Sequence, residues 1–214
     1  MNIGRAAVFG LCLGAAALGL AAVEPVPMSP DIPGSADTAP ADPPPGQLLI
    51  ASAQINDPRF YHAVILVLQH NRDGAFGIVI NHPLASEPIA KLLAAAGDSD
   101  KTVEGSIPVV SGGPVQPEFG FLVHSADYYR PETLKVDGKV AMTASKEALR
   151  DVGHHKGPKK CFFAFGYAGW GPGQLEGELA RRDWFTAPED AALVFDDDRA
   201  TVWDKALARR GTDL

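Results

Sequence analysis

Residues 63–69 read AVILVLQ, an unbroken apolar and β-branched run, and residues 76–81 read FGIVIN. Between them stands Asn71-Arg72-Asp73-Gly74, a polar cluster ending in glycine. Two such runs joined by four polar residues predict a β-hairpin. The pattern recurs along the chain. Leu48-Leu49-Ile50-Ala51 reads as a short buried strand. Ile107–Val110 and Phe119–Val123 read as strands on either side of Ser111-Gly112-Gly113-Pro114, where glycine permits positive φ and proline sets the exit. Leu134–Val136 and Val140–Met142 flank Asp137-Gly138 as a compact hairpin. Cys161–Phe165, CFFAF, is apolar on both faces and predicts a central strand buried on both sides. Trp184-Phe185 and Leu193-Val194-Phe195 read as late strand pieces, and Pro83 as the end of the strand that starts at Phe76.

Helices are few and short. Ile89, Leu92, Leu93 and Ala96 have helical spacing within 87–96, and Gly97 terminates that segment. Ser145 is placed to cap a helix from Lys146 to Val152, stopped by Gly153. Asp57 caps a short turn with Pro58 in its first position. Further helices are expected over 173–180 and 201–210, the last with Asp198 as its cap. Strict β-α-β alternation is absent, so the expected fold class is α+β: a single domain over residues 47–214 with mostly antiparallel sheets and a few short helices.

The 46 residues before the domain have a different character. Residues 1–23 carry one positive side chain, Arg5, then an uncharged stretch from Ala6 to Val23 rich in alanine, leucine and glycine. That is the pattern of a secretory signal, with Ala21-Ala22 as a cleavage site. It is also just long enough to serve as a membrane tether through residues 6–23. Residues 24–46 form a linker in which eight of 23 residues are proline, a composition that favours extended backbone over a packed core. The expected location is therefore outside the cytoplasm, periplasmic or tethered to the inner membrane. The alternative is a cytoplasmic protein whose translation begins downstream.

Charge and cysteine usage exclude several functions. The net charge is −7, which opposes non-specific binding to a polyanion. Of the two cysteines, Cys12 lies in the leader and Cys161 in the domain, so neither a disulfide framework nor a paired-cysteine zinc site is available. Cys161 sits within an apolar strand, which raises a thiol pKa and makes it inert.

Three blocks carry a family resemblance. They are GQLLIASAQINDPRFYHAVILVLQHNRDGAFGIVINHPL at 46–84, VVSGGPVQPEFGFLVH at 109–124 and FGYAGWGPGQLEGELARRDWFTAP at 165–188. Together they resemble the YqgE/AlgH family of bacterial proteins, over the whole domain and none of the first 45 residues. The resemblance implies one compact α+β fold with coiled, bifurcated sheets and flanking helices. It implies no established biochemical activity. Some members carry a transcriptional-regulator label, and the family is mostly cytoplasmic. The leader and linker of this chain depart from that pattern.

The most unusual stretch is Gly166-Tyr167-Ala168-Gly169-Trp170-Gly171-Pro172-Gly173-Gln174-Leu175-Glu176. Read as a loop between a strand and a helix, its backbone N–H groups are candidates to hold a ligand. The ligand-binding candidates are Gly169, Trp170, Gly171, Gly173, Gln174 and Glu176. The stretch has neither a P-loop nor a dinucleotide spacing. The plainer reading is a tight turn against Trp170, in which a side chain at Gly169 or Gly171 clashes or demands a forbidden φ. Glu176 and Glu178 lie two apart and do not share a helical face. His70 and His82 flank the first hairpin, with Asp73 or His124 as third ligand for a metal, but no metal-binding spacing is present. Ser111 beside two glycines lacks a nucleophile-elbow motif. No catalytic residue, metal or cofactor is assigned.

The reading is a non-enzymatic binding or regulatory domain, with a protein or small molecule as partner. The alternatives are an enzyme of unknown class using the glycine-rich 166–178 loop and, third, a transcriptional regulator contacting DNA. A deep polar pocket with converging His, Asp or Glu would favour the enzyme. The acidic balance and the lack of a helix-turn-helix pattern predict that residues 47–214 do not bind duplex DNA tightly at physiological salt. Fluorescence anisotropy checks this, and a sub-micromolar affinity with steep salt dependence would contradict it.

Overall fold

The computed structural model describes residues 43–210. The apolar leader and residues 24–42 of the linker lie outside the described residues. The end of the proline-rich segment belongs to the domain: Pro43 is buried, and the Gly46 N–H donates to the Val67 carbonyl at 2.8 Å.

Among the described residues, ten strands and five short α-helices make an α+β fold around a curled, mostly antiparallel sheet. The strands are β1 (Leu48–Ala51), β2 (Val64–Asn71), β3 (Gly74–Val79), β4 (Pro83–Pro88), β5 (Ser106–Ser111), β6 (Val115–Ser125), β7 (Thr133–Lys135), β8 (Val140–Thr143), β9 (Cys161–Trp170) and β10 (Trp184–Ala187). The helices are α1 (Ile89–Ala95), α2 (Lys146–Gly153), α3 (Gln174–Ala180), α4 (Ala191–Val194) and α5 (Val202–Leu207). The main path runs β10-β1-β2-β3-β9-β6-β8-β7. Among the described residues no helix is long and apolar enough to cross a membrane.

The sheet divides at β9. Residues 161–167 pair antiparallel with β6. On the other edge, residues 163–165 pair parallel with β5 and residues 168–170 pair antiparallel with β3. The change of partner falls at Gly166, buried with φ +69, where a Cβ would sit 2.4 Å from the Gly113 carbonyl oxygen. β4 pairs with β5 alone and is an exposed edge strand bounded by prolines.

Side chains on both faces of the sheet are buried, which is why its strands read as continuous apolar runs. In β1, Leu48 and Ile50 enter the largest cluster, with Leu66, Phe76, Phe121 and Phe162, closed by Leu193, Val194, Val202 and Ala206 of α4 and α5. Leu49 and Ala51 point the other way, to Ile65, Val67, Trp170 and Trp184, under Leu175 of α3. A third cluster packs Ile89 and Leu93 of α1 and Leu149 of α2 against Val109, Leu122 and Phe163.

Several expectations are met. The first hairpin turns through Arg72-Asp73, Ser145 caps α2 by accepting from the Glu147 N–H, and Asp57 accepts from the Arg59 N–H ahead of a 3-10 turn that Pro58 begins. Others are corrected. Leu193-Val194-Phe195 is not a strand. Leu193 and Val194 lie in α4, whose N-cap Asp190 accepts from the Ala192 N–H, and a three-residue apolar run carries no period that separates the two forms. Pro83 does not end a strand but opens β4, tolerated because an edge strand has a side that needs no N–H donor. Glu87 and Pro88 belong to that strand, so the first helix starts at Ile89. The C-terminal helix is shorter than expected, Val202–Leu207, and is preceded by a 3-10 turn at Arg199–Thr201. The Asp198 side chain accepts from no backbone N–H there, and its Oδ2 accepts from the Thr201 hydroxyl instead.

The glycine-rich stretch is the main correction. Residues 166–170 are the second half of β9, and only 171–173 form a turn before α3. The crowding expected at Gly169 and Gly171 lies mostly elsewhere. A Cβ on Gly171 would meet only Gln174 Oε1, at 3.9 Å, and neither glycine has positive φ. Gly113, at φ +152, lies so close to β9 that a Cβ would come within 2.1 Å of the Tyr167 carbonyl carbon. Gly113→Ala is therefore expected to lower stability by about 1–3 kcal/mol or more, whereas Gly171→Val changes it by less than about 0.5 kcal/mol. Urea unfolding of the two variants checks this, and equal midpoints would contradict it.

Candidate functional site

The second half of β9 forms one wall of a cavity of about 270 Å³. Phe76 of β3 and Tyr167 of β9 contribute rings whose centroids are 4.8 Å apart, tilted by 48°. Trp170 and Gly169 continue the wall, and Asn71 and Asp73 stand at the β2–β3 turn. Asn71 Oδ1 accepts from the Asp73 N–H at 2.8 Å, which fixes the turn. Asp73 is the only charged residue among those that line the cavity. Burial raises the Tyr167 phenol above its ordinary pKa, so it stays neutral.

Trp170 also borders a groove of about 330 Å³ that Arg59, Gln174, Arg181 and Trp184 help to line. The Trp170 ring is fixed in place. Glu178 Oε2 accepts from both the Trp170 and the Trp184 indole N–H, each at 2.8 Å, and its Oε1 accepts from Gln174 Nε2 at 2.9 Å. One carboxylate thus ties β9, β10 and α3 together. Gln174 Oε1 in turn accepts from the Gly171 N–H at 3.1 Å and closes the turn.

The six candidates do not converge on one point. Gly169 lines the cavity, the Trp170 ring packs on the opposite face of the sheet with Leu175 and Trp184, and Gln174 lines the adjoining groove. Gly171 is exposed, and Gly173 takes the N-cap position of α3 with φ +72. Glu176 turns to the buried His70, whose Nε2 lies 3.1 Å from Glu176 Oε1 and whose Nδ1 donates to the Pro43 carbonyl. Asn71, Phe76 and Tyr167 were not among the candidates, and Asp73 was weighed only as a metal ligand. Reading 166–170 as a continuing strand would have shown Tyr167 and Gly169 on one face, since side chains alternate with a period of two.

Several other titratable groups connect elements of the fold. His82 contacts the Tyr61 carbonyl, His124 lies between the Ser125 carbonyl and Thr143 Oγ1, and His154 faces Asp100. His70 and His82 have separate partners, and among the described residues no group of three His, Cys, Asp or Glu is placed to hold a metal. Burial pushes the Cys161 thiol up to about 11. Burial and the neighbouring Asp137 push Glu189 up to about 7, with Lys139 Nζ 3.5 Å away. This carboxyl pair joins the β7–β8 turn to the segment after β10 and takes no part in the cavity.

Replacing Glu178 by alanine leaves two buried indole N–H groups without an acceptor. The expected loss is about 2–6 kcal/mol, at about 1–3 kcal/mol per orphaned donor. Glu178→Gln keeps an amide oxygen and should recover most of it. Urea denaturation checks the pair, and an unchanged midpoint for Glu178→Ala would show that the clamp carries no stability.

A UPF0301 protein from Methylococcus capsulatus is 39% identical over 186 residues, which cover 86% of this chain and 98% of that protein. Another from Sphingopyxis alaskensis is 41% identical over 168 residues, 78% of this chain and 89% of its own. The solution structure of the AlgH protein from Pseudomonas aeruginosa superposes with a TM-score of 0.67 at 35% identity, covering 78% of this chain and 89% of that one. A crystal structure from Corynebacterium diphtheriae, 20% identical, shares the fold with a TM-score of 0.63 over 81% of this chain and 91% of its own. The profile of the AlgH-like family matches residues 48–214, and the chain belongs to that family.

Proposed function

We propose that this AlgH-like domain is a non-enzymatic binding module that holds a small, flat, largely apolar molecule in the cavity between β3 and β9. The observation that carries the reading is the ring pair of Phe76 and Tyr167 on the lining, with centroids 4.8 Å apart. Aromatic faces at fixed positions recognise a ring by offset or edge-to-face packing. Asn71 and Asp73 at the mouth supply a few polar contacts that orient it. With Asp73 the one charge on the lining, a neutral or cationic ligand is preferred over an anion. The cavity brings together no His, Glu or second Asp with Asp73, so it offers no paired acid and base.

A charge series on one ring tests this: tryptamine, indole and indole-3-acetate, followed by ligand-observed NMR and thermal shift. Tryptamine should bind best and indole-3-acetate worst. Gly169→Val should abolish binding, because a Cβ there meets Tyr167 Cε2 at 3.1 Å and forces the ring to shift. The melting temperature should change little, since valine suits a strand. Failure of all three compounds to bind, or binding unaffected by Gly169→Val, would overturn the reading.

A further inference from the structure

A second cavity, of about 760 Å³, lies between three remote segments: residues 52–56 after β1, the turn from α3 to β10, and α5 with the residues that follow it. Its volume falls in the range typical of small-molecule and cofactor sites. Arg181, Arg182 and Arg210 line it, with Asp183 as the one acidic neighbour on the lining. Asp183 is already engaged by Arg181, whose Nε and Nη2 lie 3.2 and 3.0 Å from Oδ2. Arg182 and Arg210 have no carboxylate partner among the described residues. The lining thus carries an excess of positive charge in a chain whose net charge is −7.

Cations after a helix are favoured by its dipole, and that alone accounts for Arg181 and Arg182 following α3. It does not account for Arg210, which reaches the same cavity from α5, nor for the aromatic surface beside it. Arg210 lies over the Phe185 ring at 4.9 Å. Trp203 also lines the cavity, with one face stacked on His62 at 4.0 Å and its indole N–H donating to the Ala51 carbonyl at 2.9 Å. The ring is therefore fixed in place. Ser52, Gln54 and Asn56 complete the wall with a hydroxyl and two amides. Arg182 itself is held at φ +61, a conformation that non-glycine residues seldom adopt.

From this convergence we propose that the cavity binds a nucleotide, its phosphates on Arg182 and Arg210 and its base against Trp203. Guanidinium forks match phosphate oxygens in geometry as well as in charge. A fixed indole face is a stacking platform that accepts any base. The amides of Gln54 and Asn56 are suited to the polar edge of the base or to ribose hydroxyls. The site is separate from the β3–β9 cavity and takes the opposite charge, so either can fail without the other.

The test is calorimetric titration of the full chain with ADP, with adenosine and inorganic pyrophosphate as partial ligands. ADP should bind more tightly than either part and weaken as salt rises. Arg182→Ala and Arg210→Ala should each lower ADP affinity about tenfold, the loss of one charge-assisted hydrogen-bonding group. Both side chains are exposed, so the melting temperature should hold. Absence of saturable ADP binding at low salt, or an affinity unchanged in the double variant, would overturn the proposal. Pyrophosphate binding as tightly as ADP would overturn the role of the aromatic face.

Discussion

Strand β9 serves three partners, and the close approach that allows this constrains the rest of the domain. Its first half takes β6 on one edge and β5 on the other, and its second half exchanges β5 for β3. Two sheet segments can share a strand only if their backbones come together at the point of exchange without side chains between them. Gly166 and Gly113 meet there, and a Cβ on either would lie inside a neighbouring carbonyl group. The polar backbone stays satisfied because the Gly112 N–H donates to the Phe165 carbonyl and the Val79 N–H donates to the Gly112 carbonyl. The bifurcated sheet implied by the family resemblance has its physical basis at this exchange.

Once the sheet divides, both faces need cover, and the short helices supply it. The curled strands place Leu48, Leu66 and Phe121 on the inner face, which α4 and α5 close. The opposite faces are covered by α3 on one side and by α1 and α2 on the other. Each helix has at most eight residues, too few to be stable alone, so its order derives from the apolar stripe it buries. Polar clamps then fix the helices at particular angles. Glu178 joins α3 to both tryptophans. Arg199, its guanidinium over the Phe162 ring, donates to the Ile80 and Val194 carbonyls and ties the C-terminal segment to the sheet.

The two cavities follow from the same arrangement. The smaller lies where β3 joins the second half of β9, with the Phe76 and Tyr167 rings in contact on its lining. The larger lies where α3 ends and α5 crosses the open end of β1, so its arginines come from helix ends that packing brings together. The smaller has Asp73 as the one charge on its lining and the larger has three arginines with one aspartate, so the two present opposite charge.

Much of the fold was legible in the residues. The AVILVLQ and FGIVIN runs, the Asp137-Gly138 turn, the Asp57 and Ser145 caps and the inert Cys161 each depend on neighbours a few positions away, and local preference suffices for them. Candidate site residues were legible only in part: Gly169 stood out for its unusual setting, but Phe76 did not, Tyr167 was not singled out within that stretch, and Asp73 was weighed only as a metal ligand. The glycines of 166–171 suggested a loop, because a run of small residues has no side-chain period to report a strand. Their actual neighbours are Gly74 and Gly113, far away in sequence, and only sheet pairing discloses that. Likewise, nothing near Arg182 in sequence places it in the same cavity as Gln54 and Arg210. Local patterns act over one turn or one strand. Convergence of remote segments is set by which strands share an edge and which helices cover them, and that is a property of the packed chain.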